Sequence, residues 1–292
     1  MAKELRGIFP ILSTPFDENM EVDEEDLRRQ VNYVMEQGPH GIGVNGETSE
    51  CYRLRCEERQ QILEWVLEEI RDQIPVVVGV GAGSIADSVA LARYASEKGV
   101  AAVFSSPLIG EETTPEAIYA HFKAINDAVD IPVMVQEHLI PVPNALIKRM
   151  VEELENVQYV KEERPINMGQ RITEILSLTD RVQVFSIGVN MMDELQRGAI
   201  GQMPSCLGLA RYVKIFDSYM RGDLETAWTE FERLMPLVTF RRQINDKLVA
   251  KELLRQKGVF RSIRTREPVG APLDDMEIKM LNQLMERLGP PI

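Results

Sequence analysis

The stretch "PVVVGVGAGSIADSVALARYASEKGVAAVFSS", residues 75–106, decides the fold. A short Val-rich run from Pro75 is followed by an amphipathic stretch over Ile85–Lys98, where apolar residues repeat at three and four. A second short apolar run then starts at Ala101. Strand, helix and strand in that order make a parallel crossover. The turn between them, "GVGAGS" at 79–84, lacks the Gly-x-Gly-x-x-Gly spacing of a dinucleotide fold, and no acidic residue closes the next strand as a ribose ligand would. An open doubly wound sheet is therefore the weaker alternative. Ser84, three residues before Asp87, reads first as a helix cap and second as a substrate contact at a strand's end.

The same alternation extends in both directions. Strand candidates are "GIFPIL" from Gly7, "GIGV" from Gly41, "IPVMVQ" from Ile131, "VQYVKEE" from Val157, "RVQVFSIG" from Arg181 and "GAIGQM" from Gly198, eight with the two above. Helical periodicity fills Glu24–Gln37, Glu57–Asp72, Pro115–Ala128 and Asn144–Leu154. Eight strand-helix units, with no room for a linker, predict an α/β fold, a (β/α)8 TIM barrel. After Met203 the pattern is helical over Leu207–Met220, Leu224–Leu237, Arg242–Lys257 and Asp274–Leu288, with breaks at "RGD" (221–223) and "GAP" (270–272). The first of these completes the barrel, over residues 1–220. The others form a helical extension over 221–292, placed to cover the barrel's side or to make a subunit contact.

Composition narrows the function. A chain of 292 residues that is 44% hydrophobic can bury a large core. Its net charge of −13, without a basic block, argues against a nucleic-acid or anionic-membrane partner. Cys51, Cys56 and Cys206 are odd in number and lack paired metal spacing, which suits a reducing compartment. The start "MAKELRGIFPILSTPF" lacks the pattern of a cleaved leader, and no apolar run approaches a membrane span. A cytoplasmic enzyme is expected. No His/Asp/Glu set has convincing ligand spacing, so neither a metal nor an organic cofactor is expected.

Barrel chemistry sits at the carboxyl ends of strands. Polar residues there are Asn45 and Glu47, Ser105 and Ser106, Gln136 with Glu137 and His138, Lys161 with Glu162 and Glu163, and Ser186. Residues two apart on a strand share a face, so Lys161 and Glu163 point one way and Glu162 the other. A lysine facing a barrel interior is desolvated, which favours the free amine that attacks a ketone to form an iminium. A carboxylate beside it can then move protons at the adjacent carbon. The alternative is a solvated ion pair beyond the strand's end, and spacing alone leaves both open. His138 lies past the strand and fits a surface or capping role. Glu137 points away from the Gln136 face and is a reserve acid. Glu47 and Glu50 serve equally well as bonds to the backbone of a tight loop.

Several segments in order resemble one family: "GIFPILSTPFDENMEVDEEDL" from Gly7, "GVNGETSECYRLRCEER" at 43–59, "PVVVGVGA" at 75–82, "SSPLI" at 105–109, "IPVMVQ" at 131–136, "YVKEE" at 159–163 and "GAIGQMPS" at 198–205. Together they resemble the dihydrodipicolinate synthase and N-acetylneuraminate lyase family of Schiff-base enzymes. The resemblance implies a (β/α)8 barrel with extra C-terminal helices, assembled as a homodimer or homotetramer, with Lys161 as the Schiff-base lysine. It also implies that Val44, Asn45, Gly46 and Glu47 hold the carboxylate of a small keto acid through backbone amides, with the backbone of Met203 opposite the lysine.

The departures are informative. The family's two loop threonines correspond to Val44 and Asn45, its catalytic tyrosine to Gln136, and the tyrosine lent across a dimer interface to Ile109 or Leu108. The arginine that binds a second carboxylate in the synthases is missing from "EHLIPVP" at 137–143. These changes argue against dihydrodipicolinate synthesis. "IPVMVQE", "YVKEE" and "GAIGQM" are similar to 2-keto-3-deoxy-arabinonate dehydratases, although the Gly46-Glu47 pair departs from that branch. The resemblance thus implies a lyase acting on a 2-keto-3-deoxy sugar acid or related pyruvate-type acid, a dehydratase ahead of an aldolase. Glu163 is the expected proton-transfer group, and Gln136 and Asn45 are expected to orient hydroxyls. The alternatives are a pyruvate-condensing synthase and a keto-acid-binding relative without turnover.

Overall fold

A computed structural model describes residues 5–108, 113–138, 140–164, 166–266 and 271–290. All eight expected strands are present: β1 (Gly7–Ile8), β2 (Ile42–Val44), β3 (Val76–Gly79), β4 (Ala102–Ser105), β5 (Val133–Glu137), β6 (Val157–Glu162), β7 (Gln183–Ser186) and β8 (Gly201–Gln202). The sheet order is β1-β8-β7-β6-β5-β4-β3-β2, and a helix follows each strand, so the fold is a (β/α)8 TIM barrel with extra C-terminal helices. Contacts divide the chain into two compact units, Pro75–Met203 with Met1–Arg6, and Gly7–Ile74 with Pro204–Ile292.

The first unit carries β3 to β8 and the helices α3 (Ile85–Glu97), α4 (Pro115–Asn126), α5 (Asn144–Glu153), α6 (Met168–Leu176) and α7 (Met191–Gln196). β3, β5 and β6 are Val-rich runs, almost wholly buried, as a parallel sheet covered by helices requires. Ser84 caps α3, accepting from the Asp87 N–H at 3.1 Å. Neither α6 nor α7 is among the helices expected from the sequence. α7, with six residues, is too short for apolar periodicity to repeat, whereas α6 does carry Met168, Ile172, Ile175 and Leu176 at helical spacing, a signal that those expectations did not use.

The second unit carries β1 and β2, α1 (Glu24–Met35), α2 (Cys56–Ile70) and the C-terminal helices α8 (Leu209–Met220), α9 (Leu224–Gln243), α10 (Asp246–Gln256) and α11 (Asp275–Leu288). Here the sheet closes on itself, because Ile11 pairs in parallel with Gly43 on one side and Ser205 on the other. Leu12 N–H donates to Gly43 at 3.0 Å, and Ile11 N–H to Pro204 at 2.8 Å. α9 runs through Pro236 to Gln243, with Ile244 as its cap, nearly two turns beyond the expected end at Leu237. The break falls at Asn245, whose side chain caps α10 by accepting from Lys247 and Leu248. The segment after α10 folds back onto α1 and α2: Arg29 donates to Val259 at 3.0 Å, and Arg266 pairs with Glu58 at 2.8 Å.

Candidate active site

In the first unit β5 and β6 run side by side, with Gln136 opposite Lys161 and Glu137 opposite Glu162. One step on, the Glu163 N–H donates to the Glu137 carbonyl at 3.0 Å. The pleat sorts these residues onto two faces. Lys161, 2% exposed, stands over the Phe104 ring, its nitrogen 5.4 Å from the centroid, and its ammonium contacts the Glu163 carboxylate. Gln136 Nε2 donates to Glu163 Oε2 at 2.7 Å. The His138 Nδ1 lies 3.4 Å from that same oxygen.

The opposite face turns towards α6. Glu137 receives Arg171 Nε at 2.9 Å and Nη2 at 3.2 Å, together with the Val142 N–H at 2.9 Å. Arg171 also donates to the Val142 carbonyl at 2.6 Å, so both polar backbone groups of Val142 are pinned. Glu162 accepts from the Arg164 N–H at 3.0 Å. Burial, and then the charge of Glu137, push Glu162 up to about 8. Glu137 is therefore an anchor for the loop that follows β5.

Two serines at strand ends also serve the scaffold. Ser105 Oγ lies 2.8 Å from Nε2 of His121, a fully buried imidazole that burial holds down at about 4. Ser186 donates to Glu194 at 2.7 Å. Met203, after β8, gives its N–H to the Ser186 carbonyl at 2.8 Å. Leu108 is half-buried beyond β4, and Ile109 lies outside the described residues.

The Val44–Glu47 loop belongs to the second unit. Val44 is buried and ends β2. Asn45 takes the left-handed conformation (φ 57°), which asparagine tolerates. Its Nδ2 donates to the Arg59 carbonyl at 3.0 Å, while its buried Oδ1 has no partner among the described residues. Gly46 N–H donates to Ser49 Oγ at 3.2 Å, and Ser49 Oγ donates to the Leu12 carbonyl at 2.5 Å. The Glu47 carboxylate stands 3.8 Å from Lys247 Nζ. Glu50 is structural: fully buried, it meets Lys251 Nζ at 2.5 Å and accepts the Arg266 N–H at 2.7 Å.

The sequence pattern anticipated the shared face of Lys161 and Glu163 but placed His138 at the surface. Its signal was the same alternation. Two residues past Gln136, His138 returns to the Gln136 face once Glu137 has turned outward.

Residues 4–288 match the Dihydrodipicolinate synthetase family. The chain belongs to that family. Among family members, it is 28% identical over 298 residues to the L-2-keto-3-deoxyarabonate dehydratase of Azospirillum brasilense, covering 98% of this chain and 95% of that one. It is 37% identical over 248 residues to the 4-hydroxy-tetrahydrodipicolinate synthase of Methylobacterium radiotolerans, covering 80% of each. The dihydrodipicolinate synthase structure of Thermotoga maritima superposes with a TM-score of 0.89 at 25% identity, over 97% of this chain and 98% of that one. Both kinds of relative thus occur around the chain.

Proposed function

We propose that the protein is a Schiff-base lyase acting on a 2-keto-3-deoxy sugar acid or a related pyruvate-type keto acid, as a dehydratase ahead of an aldolase. One observation carries it: the amine of Lys161 is buried against the Glu163 carboxylate, with the Gln136 amide bonded to the same carboxylate. The Lys161 nitrogen adds to the C2 ketone and expels water, leaving an iminium that draws electrons from C3. Glu163 takes a C3 proton, which leaves an enamine, and returns that proton to the C4 hydroxyl, which departs as water as the C4–O bond breaks. Hydrolysis of the iminium frees the lysine. Gln136 neither gives up nor gains charge across the pH range, so it fixes the carboxylate without competing for the proton.

The dehydratase likeness over 98% of the chain supports the dehydration branch. The lack of an arginine at 137–143 weighs against condensation with a second acid. We propose further a soluble protein of the cytoplasm that works as a homodimer or homotetramer. Among the described residues, no helix is long and apolar enough to cross a membrane.

The test is reduction with borohydride in the presence of pyruvate and of a panel of 2-keto-3-deoxy acids, with the adduct located by peptide mass. An adduct on Lys161 is expected. Lys161→Ala should lose both adduct and turnover, and Glu163→Gln should keep the adduct while turnover falls about 10²- to 10⁴-fold. Wild-type turnover in either variant would refute the mechanism.

A further inference from the structure

We propose that His138 is the relay through which the Glu163 carboxyl exchanges its proton with solvent, an inference that rests on the lyase reading above. Among the described residues of this unit, three side chains meet the Glu163 carboxylate. Lys161 occupies Oε1, while Gln136 and His138 share Oε2, at 2.7 and 3.4 Å. Lys161 is committed to the substrate as an iminium during turnover, and Gln136 does not titrate. Of the three, His138 is the one whose ring has a nitrogen that can accept a proton and a second nitrogen that can pass one on. Its exposure suits a link to solvent, since the Glu163 side chain is 9% exposed and that of His138 28%.

The placement of His138 is built into the backbone. Glu137 immediately precedes it and is held by Arg171, while Val142, where the loop returns, is bonded to Glu137 and Arg171 through its N–H and carbonyl. Both ends of the short loop carrying His138 are thereby fixed on the outer face, leaving the imidazole beside Glu163. In the relay the Glu163 O–H bond breaks as the proton passes to Nδ1, and the imidazolium then loses the Nε2 proton to water. The reverse sequence recharges Glu163 when a leaving hydroxyl needs a proton. His138 acts through Glu163 and is a positioning and relay residue rather than one that touches substrate.

The experiment uses pyruvate in deuterium oxide with two readouts: the borohydride adduct on Lys161, and deuterium entry at C3 followed by NMR. His138→Gln is expected to form the adduct within twofold of wild type and to slow deuterium entry about ten- to a hundredfold, with added imidazole restoring much of the rate. Deuterium entry at the wild-type rate would overturn the relay. A joint loss of adduct and exchange, not restored by imidazole, would overturn it too, by showing that His138 holds the fold. No adduct in the wild-type protein would instead remove the lyase reading, and the relay with it.

Discussion

Lys161 and Glu162 are chain neighbours with opposite duties, since the pleat sends the lysine to the Phe104 side and the glutamate to the side of Arg164 and Glu137. Glu162 holds its proton up to about pH 8, whereas an unfolded glutamate releases it near pH ~4.3. Between those values the folded chain retains a proton that the unfolded chain has lost. The stability associated with this group is therefore fully present below the unfolded value and is lost as pH rises through the folded one. Glu162→Gln, similar in shape and unable to ionise, should remove that slope. Its stability relative to wild type is expected to rise across the window, by about 1.36 kcal/mol per pH unit and several kcal/mol by pH 8, in urea melts at stepped pH. A difference that does not vary with pH would show that Glu162 is ionised in the folded protein. At this scale the sequence discloses parity and little else. Period two paired Lys161 with Glu163, but the apposition of Glu162 and Glu137 needs the register between β5 and β6, which one chain's letters do not contain.

At the scale of elements, the loop after β2 is held by a helix two hundred residues away. Lys251 of α10 reaches Glu50, both fully buried, and also donates to the Arg264 carbonyl at 2.6 Å, with the Phe16 ring 4.7 Å away. Glu50 sits at φ 58°, so it fixes a strained turn as well as accepting a charge. Lys251→Met strands a buried carboxylate and should cost about 3–5 kcal/mol, while Glu50→Gln combined with Lys251→Met should cost less than the two single changes together. Guanidinium denaturation of the four proteins measures that coupling, and strict additivity would deny it. No sequence signal marks this pair, because the partners are remote and each looks like an ordinary surface charge. Elements with several turns or a β-branched run were legible for the converse reason, their evidence being local, and the six-residue α7 had too few turns to show it.

Over the whole molecule, the alternation of strand and helix made the barrel readable, yet nothing local reveals how the sheet closes. That work falls to the unit built from both ends of the chain, where Ile11 is bracketed by Gly43 and Ser205. The last helix consolidates this unit. Leu281, Met285 and Leu288 of α11 are buried, α11 packs on α9, and Arg211 of α8 donates to the carbonyls of Leu288 at 2.7 Å and Gly289 at 3.0 Å while also pairing with Glu230. Exposing one such apolar side chain costs about 1.5–3 kcal/mol, so three of them approach the 5–15 kcal/mol by which a typical protein is stable at all. Ending the chain after Leu273 should thus abolish cooperative unfolding of this unit, read as loss of the thermal transition in near-ultraviolet circular dichroism. Arg211→Met, which keeps the helix and removes its tether, should lower the midpoint by a smaller amount. A truncated chain that melts at the wild-type temperature would mean that the unit closes without α11, and that the buried face of this helix contributes little to holding Ile11 between Gly43 and Ser205.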